Sequence, residues 1–154
     1  RTYWRQLVTK RSYVALVEGK LEKNEGKITS WLTEDSRTAL VSSSPVDNGG
    51  QLAITNYKVL KESALQTDEA DLKTEYSLVE LNLETGRTNQ IRVHMASIGH
   101  PVVGDRKYGH GNESSPIDRL CLHARALEFI HPMTEKKVRF EASTPKEFAR
   151  IFTQ

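Results

Sequence analysis

Between Gly86 and Gly109 the chain reads GRTNQIRVHMASIGHPVVGDRKYG. Into this run it crowds Arg87, Arg92, His94, His100, Arg106 and Lys107, with Asp105 as the one opposing charge. An amphipathic helix needs only apolar spacing to bury itself, so this density of cations points to an anionic ligand. Thr88 can cap a helix whose apolar positions Ile91, Met95 and Ile98 recur at four and three, with Gly99 to end it. Free amides at such a start, the positive end of the helix dipole and the adjacent Arg87 form a natural phosphate site. Arg92 falls on the flank of the buried stripe, where an arginine either pairs with a core carboxylate or orients a catalytic acid.

Other chemistries fit less well. GDRKYGHG has three glycines but lacks the Gly-Lys-Ser/Thr of a P-loop, and it does not fit the GxGxxG spacing after a strand. His94, His100, Asp105, His110, Cys121 and His123 include ligand types, yet there is no His-Glu-x-x-His and no paired Cys, so no metal site is expected. Cys121 lies in an alternating apolar stretch as a core residue would, and no Gly-x-Ser-x-Gly elbow occurs. Tyr13 reads as strand packing or a site residue, and Tyr108 as a loop anchor or a site residue.

The elements that must carry these residues are mainly strands. SYVALVE at 12 to 18, KITSWLT at 27 to 33, RTALVSS at 37 to 43, and the long alternating QLAITNYKVLKES from Gln51 all read as strands, with SSSPVDNGG as a loop. TEYSLVELNLET alternates again after an acidic turn, which predicts an antiparallel hairpin with the strand before it. RLCLHARALEFI and KKVRFEAST read as strands, the first with some helical character from its Ala and Leu content. Thr144-Pro145-Lys146-Glu147 is a capping box with Pro at the first helical position, and Phe148, Ile151 and Phe152 give the helix that follows an apolar face. Strands in clusters with two or three helices predict an α+β domain on a mixed, largely antiparallel sheet.

A length of 154 residues suits a single unit spanning 1 to 154, and 37% hydrophobic with 27% charged residues is ordinary globular usage. No apolar run approaches the ~18 residues a membrane span requires, so no membrane partner is expected. The chain opens on Arg1 without a signal-peptide pattern and looks excised from something longer. A lone cysteine excludes an internal disulfide and favours a reducing, cytoplasmic setting. Charge is uneven: residues 1 to 27 carry net +4, residues 61 to 84 net −5 and residues 86 to 111 net +3. That pattern fits a polyanionic partner or merely solvated faces.

The string Thr85-Gly86-Arg87-Thr88-Asn89-Gln90-Ile91-Arg92-Val93-His94, followed by Gly99-His100-Pro101 and Gly104-Asp105, resembles the signature of RluA-type RNA pseudouridine synthases. RSYVALVEG, AITNYKVL, RLCLHARALEFIHP and TPKEF occur in that family's order, so the resemblance covers essentially the whole chain. It implies the pseudouridine synthase fold and an enzyme that isomerises uridine in RNA without cofactor or metal. The base must leave its stack to be reached. By the same resemblance Tyr13, after Lys10-Arg11, stacks on the target base and moves the proton from its carbon, and Ile91 lines the uracil pocket. Arg92 ion-pairs with the catalytic aspartate, whose pKa a neighbouring guanidinium lowers. Arg87, Thr88, Arg106 and Lys107 are expected to hold RNA, ribosomal in the first instance and transfer RNA in the second.

Two departures qualify this. Asn89 stands where many relatives have His, and the Arg-Leu-Asp motif that carries the essential aspartate does not occur. Asp35, Asp47, Asp68, Asp71, Asp105 and Asp118 all lie in the wrong context, and Asp105 belongs to the family's own loop. The acidic partner of Arg92 is therefore expected outside this chain. The expectation is the C-terminal portion of a synthase catalytic domain, inactive alone and prone to self-association. The alternative is a non-catalytic RNA-binding module or degenerate paralogue.

Overall fold

A computed structural model describes residues 8–66, 73–111, 119–131, 133–146 and 148. Its strands are β1 (Val8–Glu18), β2 (Glu25–Glu34), β3 (Val41–Ser44), β4 (Gln51–Gln66), β5 (Lys73–Leu83), β6 (Leu122–Ile130) and β7 (Lys137–Glu141), with one helix, α1 (Gln90–Ser97), between β5 and β6. The strands join in one sheet in the order β3, β2, β4, β5, β1, β6, β7. Every ladder is antiparallel, including the predicted β4–β5 hairpin.

β1 lies between β5 and β6, and its Val14-Ala15-Leu16-Val17 is fully buried although successive side chains face opposite ways. Both faces are therefore covered, which is why the segment reads as a continuous apolar run rather than an alternation. Phe148, itself fully buried, joins the same core cluster as these residues. Registers Tyr13↔Leu81, Leu81↔Tyr57 and Ile28↔Thr55 set out one face of the sheet, and α1 lies on it through Ile91 and Met95.

Two expectations are corrected. α1 is the one helix that spans a full element among the described residues, not one of two or three; the expected C-terminal helix falls largely outside those residues. Nor does Thr88 cap α1. Asn89 precedes it in the left-handed conformation (φ 55°, ψ 22°) with no side-chain cap, and Thr88 stands exposed outside the helix. An N-cap needs extended backbone, which a left-handed residue cannot supply. Instead the Gln90 side chain turns back and accepts the Arg87 amide N–H at 3.1 Å.

Gly99 does end the helix as predicted, at φ +88°. Gly104 has a stricter reason to be glycine: at φ +81° a Cβ would stand 2.0 Å from the Arg119 carbonyl oxygen. That close approach seats the loop around Gly104 against the backbone of Arg119 and Leu120, and Asp105 next to it bonds to Arg92 of α1. No described helix is long and apolar enough to cross a membrane.

Candidate active site

β1 presents Tyr13 between Leu81 of β5 and Ala124 of β6, on the face that carries α1. The ladder with β6 is irregular at this point. Ser12 pairs Ala126 while Tyr13 pairs Ala124, so Arg125 is an extra residue on β6. Tyr13, Leu83, Leu122, Ile91, Arg87 and Arg92 line a pocket of about 180 Å³ beside the start of α1. The three residues expected at the base, Tyr13, Ile91 and Arg92, thus converge from β1 and α1, and Arg87 joins them.

Arg92 is held on three sides. Its Nε and Nη2 donate to Asp105 Oδ2 and Oδ1, each at 2.9 Å, a bidentate pair. The guanidinium carbon lies 5.2 Å from the centroid of the Tyr108 ring, and Nη1 reaches Asn89 Oδ1 at 3.4 Å. Asp105 is buried and accepts two further N–H bonds, from Lys107 at 3.0 Å and Tyr108 at 3.1 Å. Burial alone raises the Asp105 pKa, but the Arg92 guanidinium and the two amides outweigh it and leave the carboxyl below its ordinary value. The same hydrogen bond raises the Arg92 pKa. Arg92 thus has an acidic partner within the chain, the Asp105 carboxylate that sequence reading set aside as part of a loop. The signal was present in Asp105-Arg106-Lys107-Tyr108, because an aspartate that accepts amides two and three residues on is a turn-former with a fixed carboxylate.

Beneath α1 runs a buried polar chain that sequence reading missed. The fully buried His94 ring lies with Nε2 2.8 Å from Ser30 Oγ and Nδ1 2.7 Å from Thr55 Oγ1. Ser43 donates to Ser30 at 2.8 Å, Gln90 Nε2 donates to Thr55 at 2.9 Å, and Thr85 donates to Gln90 at 2.7 Å. Burial pushes the His94 pKa down to about 4. Gln90 and His94 are four apart on one helix face, the spacing at which a polar pair can enter a core together.

The remaining predicted cations divide. Arg87 Nε donates to the Leu52 carbonyl at 2.9 Å, which anchors the side chain at the pocket rim. Arg106 and Lys107 are exposed on the loop, and neither lines the pocket; Lys107 Nζ donates to Ala39 O at 3.1 Å. Tyr108 is an anchor as well as a lid on Arg92, since its hydroxyl accepts the Val41 amide N–H at 3.0 Å.

No carboxylate lines the pocket, and no group of three metal-ligating side chains comes together among the described residues. A larger cleft, about 610 Å³, opens beside β1, β6 and β7. Its arginines are already spent on acids: Arg125 lies 2.8 Å from Glu80, and Arg139 is bonded to Glu128 and Glu141. The smaller pocket, with its oriented guanidinium and apolar walls, is the better site for a base.

The chain as a whole is similar to known proteins. A family model described as RNA pseudouridylate synthase matches residues 2–97. A Bacillus subtilis protein named uncharacterized RNA pseudouridine synthase YhcT is 42% identical over 142 residues, covering 92% of this chain and 43% of its own length. Ribosomal large subunit pseudouridine synthase D of Zymomonas mobilis is 37% identical over 153 residues, covering 92% and 44% respectively. Among solved structures, human RNA Pseudouridylate Synthase Domain Containing 1 superposes with a TM-score of 0.74 at 28% identity, over 94% of this chain and 57% of that one. The chain spans less than half the length of the two curated relatives.

Proposed function

Since the chain belongs to the RNA pseudouridylate synthase family, we propose that it supplies the tyrosine, arginine and apolar walls of a uridine-isomerising site and receives the essential carboxylate from outside these residues. The observation that carries this reading is the Tyr13, Ile91 and Arg92 pocket, which has a fixed guanidinium and no acid among the described residues. In the reaction the bond from uracil nitrogen to ribose breaks, the base turns, a carbon of the ring bonds to the same ribose carbon, and the proton on that ring carbon leaves while the freed ring nitrogen takes one up. No electrons are gained or lost, so the site needs no redox partner. Tyr13 stacks on the extruded base and moves that proton, Ile91 packs the other side of the ring, and Arg92 aims the incoming carboxylate and keeps it ionised. Arg87 at the rim takes a phosphate next to the target, and Thr88, Arg106 and Lys107 meet RNA further out.

The RNA is ribosomal in the first instance, by similarity to the Zymomonas protein, and transfer RNA in the second. The setting is the cytoplasm. The chain by itself is inactive and associates with copies of itself. Tritium release from RNA labelled at the uridine ring carbon that exchanges its proton tests the reading. The full-length protein is expected to release tritium, the 154-residue chain to release none. Release by the chain alone would show that no outside carboxylate is needed. The second reading, an RNA-binding module without catalysis, is favoured by the acid-free pocket; binding by the full-length protein with no release establishes it.

A further inference from the structure

We infer that Asp105 is a positioning residue of this site: it grips one edge of the Arg92 guanidinium so that the other edge is presented to the carboxylate that completes the pocket. The inference rests on the proposed isomerase reading. A guanidinium has five N–H groups and two edges that can each take a carboxylate side by side, one formed by Nε and one terminal nitrogen, the other by the two terminal nitrogens. Asp105 occupies the first edge, with Nε and Nη2 both at 2.9 Å. At the second edge the one partner among the described residues is Asn89 Oδ1, at a long 3.4 Å from Nη1, and Asn89 and Arg92 both line the pocket.

Asp105 can serve as a fixed jaw because it is buried and tied down by hydrogen bonds. It is 1% exposed, its Oδ1 accepts the Lys107 and Tyr108 amides, and Gly104 before it admits no side chain. Tyr108, over the flat of the guanidinium, removes the remaining freedom to tilt. One arginine between two acids also sets how strongly each is held. Asp105 takes part of the positive charge, so the second carboxylate is kept ionised without being locked to Arg92, and it stays free to act on the ribose or the base.

The test uses the full-length protein with Asp105→Asn and Asp105→Glu. Asparagine keeps an oxygen for the two loop amides but turns an NH2 toward the Arg92 Nε–H, whereas glutamate keeps the charge and displaces the guanidinium by a methylene. For both variants kcat for tritium release is expected to fall on the order of 10²-fold, the cost of a misplaced group near 1 Å. Affinity for RNA, measured by filter binding, should stay within about twofold, since no phosphate contact is removed. In Asp105→Glu, which keeps the shared charge, the acid limb of the kcat profile should move to higher pH, because a misaimed guanidinium no longer holds the catalytic carboxyl down. A wild type that releases no tritium defeats the isomerase reading. An active wild type with either variant at wild-type kcat overturns the role of Asp105. So does a loss of kcat that tracks the unfolded fraction by circular dichroism while the acid limb stays in place.

Discussion

Acidification should loosen the platform on which Arg92 stands well before it protonates the acids around it. His94 is sealed under α1 with both ring nitrogens committed to hydroxyls, and its pKa is pushed down from 6.5 to about 4. Above pH 6.5 the ring is neutral in folded and unfolded chains alike, and the stability it permits is fully present. As pH falls from 6.5 to 4 the unfolded chain binds a proton that the folded chain refuses, so stability drops by about 1.4 kcal/mol per pH unit. Below about 4 the folded form protonates too and the loss levels off, near 3 kcal/mol in total. Asp105 works in a separate window, because a carboxyl held below 3.8 loses its contribution only as pH falls beneath the ordinary carboxylate range. Urea denaturation at pH 7 and pH 5 therefore isolates the histidine. The wild-type chain should lose about 2 kcal/mol between the two, and His94→Gln, whatever its absolute stability, should lose almost none. A wild-type chain equally stable at both pH values refutes the reasoning, as does a His94→Gln chain with the wild-type dependence. The loss bears on function because Ile91 and Arg92 sit on the same short helix, and a weakened His94 anchor lets both leave the pocket.

Electrostatic contact with RNA should be concentrated at the rim. Arg87→Ala should reduce the slope of log affinity against log salt by about one, while Arg106→Ala and Lys107→Ala each test a contact further from the pocket; no change in any of the three removes them from the interface. Self-association should be visible in the isolated chain, because among the described residues β7 is an edge strand of the sheet and Phe140 is 60% exposed on it. Light scattering across a wide concentration range checks this, and a monomer throughout excludes it.

What sequence reading could reach depended on whether the signal was local. The β4–β5 hairpin was legible because both strands alternate over ten or more residues, long enough for period two to stand out. Tyr13, Ile91 and Arg92 stood out because they lie in strings that resemble a family's, although nothing in their spacing shows that β1 and α1 meet around one pocket. The start of α1 was misread because a left-handed Asn89 leaves no compositional mark, and Thr88 looks like a cap in any sequence. Arg92 and Asp105 are 13 residues apart, across a glycine turn and a bridge from Val17 to Val102. A pairing made by that loop closure has no periodicity to reveal it. The polar chain through Ser43, Ser30, His94, Thr55 and Gln90 draws on three strands and a helix, so each member reads as an ordinary surface residue until the elements are assembled.

RLCLHARALEFI was ambiguous for a reason that lies in Arg125. Before it, Leu122 and Ala124 oppose Ala15 and Tyr13; after it, Ala126 opposes Ser12, on the other face. Odd and even exchange meaning halfway along β6, so the strand carries two half-patterns that do not join into one alternation. The extra residue works as a phase shifter between two regions that need different walls: pocket at one end, and at the other a surface where Glu80 takes the Arg125 side chain and Ala142 takes its carbonyl. Excising Arg125 would leave a more regular ladder and nearly the same composition. It would also put either the floor beneath Tyr13 or the far half of β6 on the wrong side of the sheet. In this chain the aim of Tyr13 is set by parity, a count of residues, as much as by any contact it makes.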